Sequence, residues 1–162
     1  MIYDYKKLGK EITDLDRTAH HHSIVAIRDS FEKYPNRFLV YQDEAWHCRL
    51  FLNYPTQSDK EKNVAFIKEK ISTALKIPVE DISLLEVTQA LQQRYSEKHH
   101  EMRVYDHVFY EAHLSSFSDT LQQTSFSIDG VMYYWMTLVE MERDADIKKK
   151  NLDVVQEIEK HV

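Results

Sequence analysis

A chain of 162 residues with 43% hydrophobic and 30% charged side chains has the composition of one soluble domain with its own core. The net charge of −6 disfavours nonspecific nucleic-acid binding over the whole surface. Only two glycines occur, Gly9 and Gly130, which excludes the Walker and Rossmann phosphate-binding loops because both need several glycines close together.

The rest of the composition predicts an intracellular protein. The lone Cys48 cannot form an internal disulfide, which fits a reducing setting. No apolar run approaches the roughly 20 residues of a membrane-spanning helix, and the pattern of a signal peptide is missing. We therefore expect a cytoplasmic protein with no membrane span in this chain and no nucleic-acid partner.

Residues 1–36 predict a helical arm. Apolar residues recur at helical spacing in two stripes, namely Leu8, Ile12, Leu15 and Ala19, and then Ile24, Ile27 and Phe31. The stripes are offset, so they predict one bent helix or two helices that meet near His20, His21 and His22. Two arrangements remain open for this arm: packing on the rest of the chain, and pairing with a second copy as a coiled coil.

Residues 37–162 predict a second unit, which begins with two strands and a helix. The strands cover residues 37–42 and 47–55, and Cys48 is expected to be a small core residue. The helix can be capped by Ser58 or Asp59, and Pro78 prevents its continuation. Its buried stripe is expected to contain Val64, Ile67, Ile71 and Leu75.

The remaining segments are mostly strands. Residues 82–97 predict a strand with a break near residues 90–92, and residues 103–114 alternate with a period of two. The pair Asp129-Gly130 is a strong turn signal, which predicts a hairpin of residues 125–128 and 131–139. Residues 144–162 have the spacing of a C-terminal helix.

The segment 55–77 resembles a Nudix box in length and rhythm. That box reads Gly-x5-Glu-x7-Arg-Glu-apolar-x-Glu-Glu-x-Gly-apolar and forms a loop, helix and loop whose carboxylates hold divalent metal against a pyrophosphate. With the last apolar position on Ile77, Glu61 matches the isolated upstream Glu. The other key positions depart from the box: Pro55, Glu69, Lys70, Thr73, Ala74 and Lys76 stand for Gly, Arg, Glu, Glu, Glu and Gly. The chain therefore resembles a Nudix domain that has lost its metal site.

Flanking segments extend the resemblance to roughly residues 37–160. Residues 134–141 look like the Nudix ending, in which a strand runs into a short Leu-Glu-Glu-Leu-like turn. The order of Arg94-Tyr95-Ser96, a Tyr105 to Tyr110 strand and Tyr133-Tyr134-Trp135 is similar to the SMODS-associated Nudix type of bacterial conflict systems. The resemblance implies an α/β fold with a mixed sheet sandwiched between helices.

Metal binding in the usual box geometry is not expected. Glu61 and Glu69 lie about two turns apart on an ideal helix, and Lys70 places a cation where Mg²⁺ needs an oxygen ligand. Carboxylates outside the box are the alternative route to a metal-dependent hydrolase, and the candidates are Glu80, Asp81 and Glu140.

Histidines and nucleophiles offer no stronger catalytic signal. Three consecutive histidines on a helix would point in three directions, so residues 20–22 cannot chelate one ion together. His99 and His100 supply two ligands, whereas zinc sites usually need three or four. No serine or cysteine has the surroundings of a catalytic nucleophile. We expect no resident metal and no cofactor.

Aromatic and basic side chains on the later strands predict a nucleotide pocket. An aromatic ring with an arginine nearby can sandwich a base, and basic groups can hold phosphates. The candidate ligand-binding residues are Arg49, Arg94, Tyr95, Lys98, Arg103, Tyr105 and Trp135. The competing interpretation assigns about half of the rings to the core, because strands favour aromatic residues for packing alone.

Three hypotheses follow. In the first, which the resemblance implies, a non-catalytic Nudix-like module binds or senses a nucleotide-derived ligand in a bacterial defence or signalling system. Its output would belong to a partner protein or effector domain. In the second, the chain is a divalent-metal-dependent pyrophosphohydrolase of nucleoside diphosphate derivatives with displaced metal ligands. In the third, it is a scaffold that forms a homodimer through the N-terminal helix and has a vestigial pocket.

Overall fold

A seven-stranded mixed sheet forms the centre of the computed structural model, which describes residues 20–96 and 100–162. The strands are β1 (His20–Ile27), β2 (Arg37–Asp43), β3 (Cys48–Pro55), β4 (Ile82–Ser96), β5 (Glu101–Leu114), β6 (Ser125–Ile128) and β7 (Val131–Thr137). Their order across the sheet is β4-β5-β1-β3-β2-β7-β6. β1 and β5 run parallel, and the other neighbouring pairs of these strands run antiparallel.

Helices cover both faces of this sheet. They are α1 (Lys60–Leu75), α2 (Leu138–Arg143), α3 (Ala145–Lys150) and α4 (Leu152–His161), with a short 3-10 turn at Val79–Asp81 before β4. No helix in the described part of the chain is long and apolar enough to cross a membrane. The predicted sandwich of a mixed sheet between helices is confirmed.

Two hydrophobic cores lie on the two faces of the sheet. The α1 core is defined by buried residues of α1 and of the strands beneath it, among them Ile67, Ile71, Leu75, Val25, Leu39 and Trp135. The C-terminal core is defined by buried residues of α2, α3 and α4 and of the opposite sheet face, among them Met141, Ile147, Ile158, Ile24, Phe38 and Phe51. Any functional group on the sheet therefore belongs to one of two separate faces.

The α1 helix forms where its sequence predicts. Asp59 is the N-cap and accepts a hydrogen bond from the Lys62 backbone N–H at 3.1 Å. The buried face contains Asn63, Ile67, Ile71 and Leu75, at the four-residue spacing of one side of a helix. Val64 was expected in this stripe and is only half-buried.

The helical prediction is wrong for residues 20–27, which form strand β1 between β5 and β3. The strand is buried on both faces, with Ile24 in the C-terminal core and Val25 in the α1 core. A strand buried on both sides shows no alternation of apolar and polar residues. The three-residue spacing of Ile24 and Ile27 in β1 therefore matched that of a helix. Residues 1–19 of the predicted arm lie outside the described residues.

The predicted break in β4 near residues 90–92 is also wrong. β4 pairs with β5 from Ile82 to Ser96, and its irregularity lies between Glu86 and Thr88. Gln92, inside the predicted break, is buried and bonded to His107 of the paired strand, so the polar residues there do not interrupt the pairing.

The hairpin and the C-terminal helix are confirmed. Asp129 and Gly130 have φ values of 50° and 80°, the positive values that a two-residue hairpin turn requires at both central positions. The C-terminal helix is divided at Asn151 into α3 and α4. The short α2 helix precedes them and begins at a capping box of Thr137 and Glu140.

Candidate functional site

The loop, helix and loop over residues 55–77 ends with an unusual backbone conformation. Lys76 follows α1 in the left-handed region, with φ 59°, and its N–H donates to the Ser72 carbonyl. Glycine adopts this conformation without strain, which is why helices commonly end on it. Lys76 therefore occupies a backbone position that suits the closing glycine of the box with which the segment was aligned.

The outward face of α1 is cationic. Residues 60–76 contain five lysines and two glutamates in a chain whose net charge is −6. Glu61, Glu69 and Lys70 are exposed, and the Lys70 Nζ lies 5.3 Å from the centroid of the Phe66 ring. Within residues 20–96 and 100–162, no three His, Cys, Asp or Glu side chains lie close enough together to hold a metal ion.

Two of the three carboxylates proposed as displaced metal ligands, Asp81 and Glu140, lie in structural contacts. The Ser116 hydroxyl donates to Asp81 Oδ2 at 3.1 Å. Glu140 Oε1 accepts from the Thr137 backbone N–H at 3.0 Å as part of the α2 capping box. Glu80 is exposed in the 3-10 turn. These contacts tie Asp81 and Glu140 to local structure.

A buried polar network fixes the loop that leads into α1. The Asn63 side chain is 1% exposed, and its Nδ2 donates to Ser23 Oγ and to the Tyr110 hydroxyl, each at 3.0 Å. Its Oδ1 accepts from the Gln57 backbone N–H at 2.8 Å. Ser23 Oγ also lies 3.0 Å from Thr56 Oγ1. The start of α1 is thereby held against β1 and β5.

A histidine and an aspartate face each other beside this network. His21 Nδ1 lies 3.1 Å from Asp106 Oδ2, and Gln89 Nε2 donates to Asp106 Oδ1 at 2.9 Å. The His21 carbonyl accepts from the Thr56 backbone N–H at 2.9 Å, so the pair adjoins the loop before α1. The His21 side chain is 46% exposed.

Sequence reasoning missed this group. His21 and Asp106 are 85 residues apart, so no local motif joins them. The alternation along β1 that places His21 and Ser23 on one face was hidden by the helical prediction for the same residues.

Arg49 and Trp135, two of the predicted ligand-binding residues, lie on opposite faces of the sheet. The Arg49 guanidinium carbon is 3.7 Å from the centroid of the Tyr134 ring, which packs against the C-terminal core. Trp135 belongs to the α1 core, where it is 3% exposed and its indole N–H donates to the Leu121 carbonyl at 2.7 Å. Phe31 lies edge-on to the Trp135 ring at 5.5 Å. The ring that accompanies Arg49 is thus Tyr134.

The other candidates lie on β4, β5 and the turn between them. Tyr105 is buried, and its ring is edge-on to Trp46 at 6.2 Å. Arg103 Nη2 is 2.7 Å from Glu101 Oε1. The backbone of Arg94 pairs with Arg103. The side chains of Arg94 and Tyr95, and the whole of Lys98, lie outside the described residues.

Cys48 is a core residue, as predicted. It is buried in the C-terminal core, and burial raises the pKa of its thiol to about 12. Asp144, the largest charged contributor, acts in the same direction. A thiol that stays protonated at neutral pH is a poor nucleophile.

Solved Nudix hydrolases share this fold. The structure is similar to a crystal structure of C. elegans Ap4A hydrolase, with a TM-score of 0.55 and 11% identity over 88% of this chain and 97% of that chain. A binary complex of C. elegans Ap4A hydrolase gives 0.53 and 10% over 86% and 96%, respectively. A NUDIX hydrolase from Nitrosomonas europaea gives 0.52 and 8% over 88% and 86%. No protein-family model and no curated protein sequence matches this chain.

These similarities establish the fold alone, because all three identities are far below 25%. The predicted Nudix-like α/β fold is confirmed. The degenerate box and the SMODS-associated type stay predictions.

Proposed function

We propose that this chain is a Nudix-like module that binds a nucleotide-derived phosphate compound and does not hydrolyse it by the usual metal-dependent reaction. The observation that carries the proposal is the composition of the α1 face at residues 70, 73 and 74. Residues three and four apart share a face of a helix. A hydrolytic box presents glutamates at these three positions, whereas this chain presents Lys70, Thr73 and Ala74.

The loss of these three glutamates changes whether the α1 face attracts a cation or an anion. Mg²⁺ needs several oxygen ligands, and it activates water and neutralises the pyrophosphate during hydrolysis. The Lys70 ammonium repels a divalent cation but attracts a phosphate directly. Lys60 and Lys76 pair with Glu86 and Asp129, and the other three lysines of residues 60–76 support binding of an anionic ligand without a metal.

The class of ligand is inferred from the fold and from one aromatic contact. The similar C. elegans protein is an Ap4A hydrolase, and we propose a nucleotide-derived ligand for this chain as well. A base can stack on an arginine guanidinium that is itself held on an aromatic ring. Arg49 on Tyr134 has this arrangement on the face of the sheet opposite α1, so we propose it as a base site distinct from the phosphate site on α1. Tyr105, Arg103, Arg94, Tyr95 and Lys98 remain proposed contributors on the β4 and β5 side.

The biological setting belongs to the same proposal. The pattern of Arg94-Tyr95-Ser96 and Tyr133-Tyr134-Trp135 supports a sensor of the SMODS-associated type, in a bacterial defence or signalling system. Such a sensor would work in the cytoplasm, and its output would be carried by a partner protein, an effector domain or a second copy of this chain.

A pyrophosphohydrolase with displaced metal ligands is the second candidate. Its support is that the three structural neighbours are hydrolases and that Glu61 matches the upstream glutamate of the box. In that case Glu61→Gln should abolish turnover that depends on Mg²⁺ or Mn²⁺. Unchanged turnover in this variant would remove Glu61 from the reaction.

A thermal-shift screen separates the two candidates. ADP-ribose, Ap4A and cyclic dinucleotides are each added with Mg²⁺ or with EDTA, and the products are followed by chromatography. A ligand that binds the folded state raises the melting temperature by mass action. We expect a shift in EDTA with no product, whereas a shift that needs Mg²⁺ and fades as product appears would establish the hydrolase.

A charge reversal at residue 70 tests whether the α1 face binds the ligand. Lys70→Glu should weaken binding of the ligand that gives the shift by about tenfold or more, because it replaces an attraction with a repulsion. Lys33→Glu makes the same change of charge in the exposed loop between β1 and β2, outside α1 and outside the predicted ligand-binding residues, and should leave the affinity unchanged. Wild-type affinity in Lys70→Glu would contradict the proposal.

A further inference from the structure

We propose that His21, held by Asp106 and Gln89, binds a phosphate group of the ligand near the N-terminal end of α1. The inference rests on the proposed function and assigns one contact within it. It is carried by the geometry of the three side chains.

The imidazole of His21 has a defined orientation. Its Nδ1 faces Asp106 Oδ2 at 3.1 Å, a position from which an Nδ1–H donates to the carboxylate. The nitrogen that Asp106 does not engage is Nε2, which faces the ligand in this proposal. When Nε2–H donates to a ligand oxyanion, Nδ1–H donates to Asp106 at the same time, and hydrogen bonds to charged groups are stronger than neutral ones.

Asp106 is itself held in place. Its second oxygen, Oδ1, accepts from Gln89 Nε2 at 2.9 Å, so both carboxylate oxygens have partners from different strands. An oriented histidine of this kind needs its carboxylate fixed, and Gln89 on β4 fixes it. The arrangement joins β1, β5 and β4 at one face of the sheet.

The position of His21 relative to α1 suits a phosphate. His21 and Ser23 point to the same side of β1, and Ser23 bonds to Asn63 in the first turn of α1. The Thr56 backbone N–H, in the loop before α1, bonds to the His21 carbonyl. A phosphate at His21 Nε2 would thus lie on the side of the sheet that also carries the cationic helix.

The nearby charges are balanced. Asp106 is paired with His21, and Glu86 Oε2 on β4 is 3.3 Å from Lys60 Nζ on α1. Both carboxylates therefore already have hydrogen-bonding or ion-pair partners when an anion approaches. A purely structural surface pair would be the alternative role, but exposed ion pairs contribute little to stability, and such a role would not affect ligand binding.

Inorganic pyrophosphate is the probe for this contact. Its affinity for the full chain is measured by isothermal titration calorimetry in EDTA for the wild type and for three variants: His21→Gln, Asp106→Asn and His113→Gln. His113 is an exposed histidine on β5 and serves as the matched control. We expect His21→Gln to raise Kd about tenfold, Asp106→Asn to raise it about threefold, and His113→Gln to leave it within twofold of the wild type.

The side-chain nitrogens supply a second readout. In ¹⁵N spectra of the histidine rings, the Nε2 signal of His21 is assigned as the one that disappears in His21→Gln. In the wild type this signal should move when pyrophosphate is added. The inference would be overturned if pyrophosphate bound His21→Gln as tightly as the wild type and did not move the His21 Nε2 signal of the wild type. The proposed function would then remain in place. A wild-type chain that binds neither pyrophosphate nor any nucleotide in the screen would overturn both.

Discussion

Asn63 Nδ2 donates a hydrogen bond of 3.0 Å to Ser23 Oγ, across 40 residues of sequence and inside the protein. This bond joins the first turn of α1 to β1, the strand that lies between the parallel β5 and the antiparallel β3. The same amide bonds to Tyr110 and receives the Gln57 N–H. One buried side chain therefore ties the first turn of the cationic helix to the sheet, in addition to the apolar packing of α1.

The first prediction concerns Asn63. Asn63→Leu keeps the branching and the number of side-chain heavy atoms but removes three hydrogen bonds and leaves buried polar partners at Ser23 and Tyr110. We expect the free energy of unfolding to fall by about 2–4 kcal/mol, since an unsatisfied buried group loses its full solvation. Urea unfolding followed by circular dichroism measures it.

Asn36→Leu is the control for that change, because the Asn36 side chain is exposed in the loop before β2. Its effect should stay within about 0.5 kcal/mol. Equal effects of the two substitutions would show that the network adds nothing beyond its packing.

The second prediction concerns Asp29, a carboxylate that is 0% exposed. It accepts from the backbone N–H groups of Asn36 and Arg37 at 2.9 Å and from Arg37 Nε at 2.8 Å. Asp29→Ala leaves a largely buried guanidinium and two N–H groups without their acceptor. We expect a loss of about 3–5 kcal/mol in thermal or urea unfolding.

A matched substitution tests whether the Asp29 effect is specific. Asp119→Ala removes an exposed carboxylate from the loop before β6 and should change stability by less than about 0.5 kcal/mol. The double variant Asp29→Ala with Arg37→Ala should recover part of the loss, because it no longer leaves the guanidinium without its buried partner. No recovery would mean that the backbone contacts of Asp29 dominate.

How far the sequence predicts this fold depends on whether each element carries a local signal. The α1 helix has its cap at Asp59 and an apolar stripe, and the hairpin has its turn at Asp129 and Gly130, so local rules were sufficient for both. β1 has no such signal because residues 23–27 are all buried, so apolar and polar residues do not alternate along this stretch. Its strand conformation is set by pairing with β5, more than 80 residues later in the chain.

The residues of the candidate site likewise differ in whether a local sequence signal predicts them. Arg49 was predicted from its type and strand, and the structure gives it an aromatic partner, Tyr134, which is the sequence neighbour of the candidate Trp135. A shift of one residue along a strand moves a side chain to the other face, and composition does not determine that register. The contact of His21 with Asp106 depends on the parallel pairing of β1 and β5, which no local pattern indicates.

The third prediction concerns Lys76 and its φ of 59°. Lys76→Gly removes the steric cost of the left-handed conformation and should stabilise the protein by about 0.5–1 kcal/mol. The substitution also removes an ion pair with Asp129, of 2.9 Å, but both side chains are exposed and such pairs contribute little. The measurement is the urea concentration at the midpoint of unfolding, compared between the wild type and the variant when the free energy of unfolding depends equally on urea concentration in both.

Ala65→Gly supplies the contrast, because Ala65 is exposed in the interior of α1 and glycine there should cost about 1 kcal/mol. Opposite signs for the two glycine substitutions are expected. Destabilisation of similar size by both would show that the left-handed turn at Lys76 does not form in solution.

The fourth prediction concerns the pH dependence of stability through Cys48. Burial raises the pKa of its thiol to about 12 in the folded protein, whereas an unfolded cysteine titrates near about 8.5. The folded state therefore favours the neutral thiol, and this contribution is complete below the unfolded pKa. It is lost as the pH rises from about 9 towards 12, because the unfolded chain gains stability by releasing the proton.

Unfolding in urea at pH 7.5, 9 and 10 tests this dependence on the wild type and on Cys48→Ala. The alanine variant is less stable at every pH, since it leaves a small cavity, but its stability should fall less between pH 9 and 10. Burial also raises the pKa values of Tyr41 and Tyr54, and these tyrosines act equally in both proteins, so the difference between the two curves isolates the thiol. Parallel curves would mean that the Cys48 thiol is accessible to water in the folded protein, and rapid reaction of the native protein with a thiol reagent at pH 8 would accompany them.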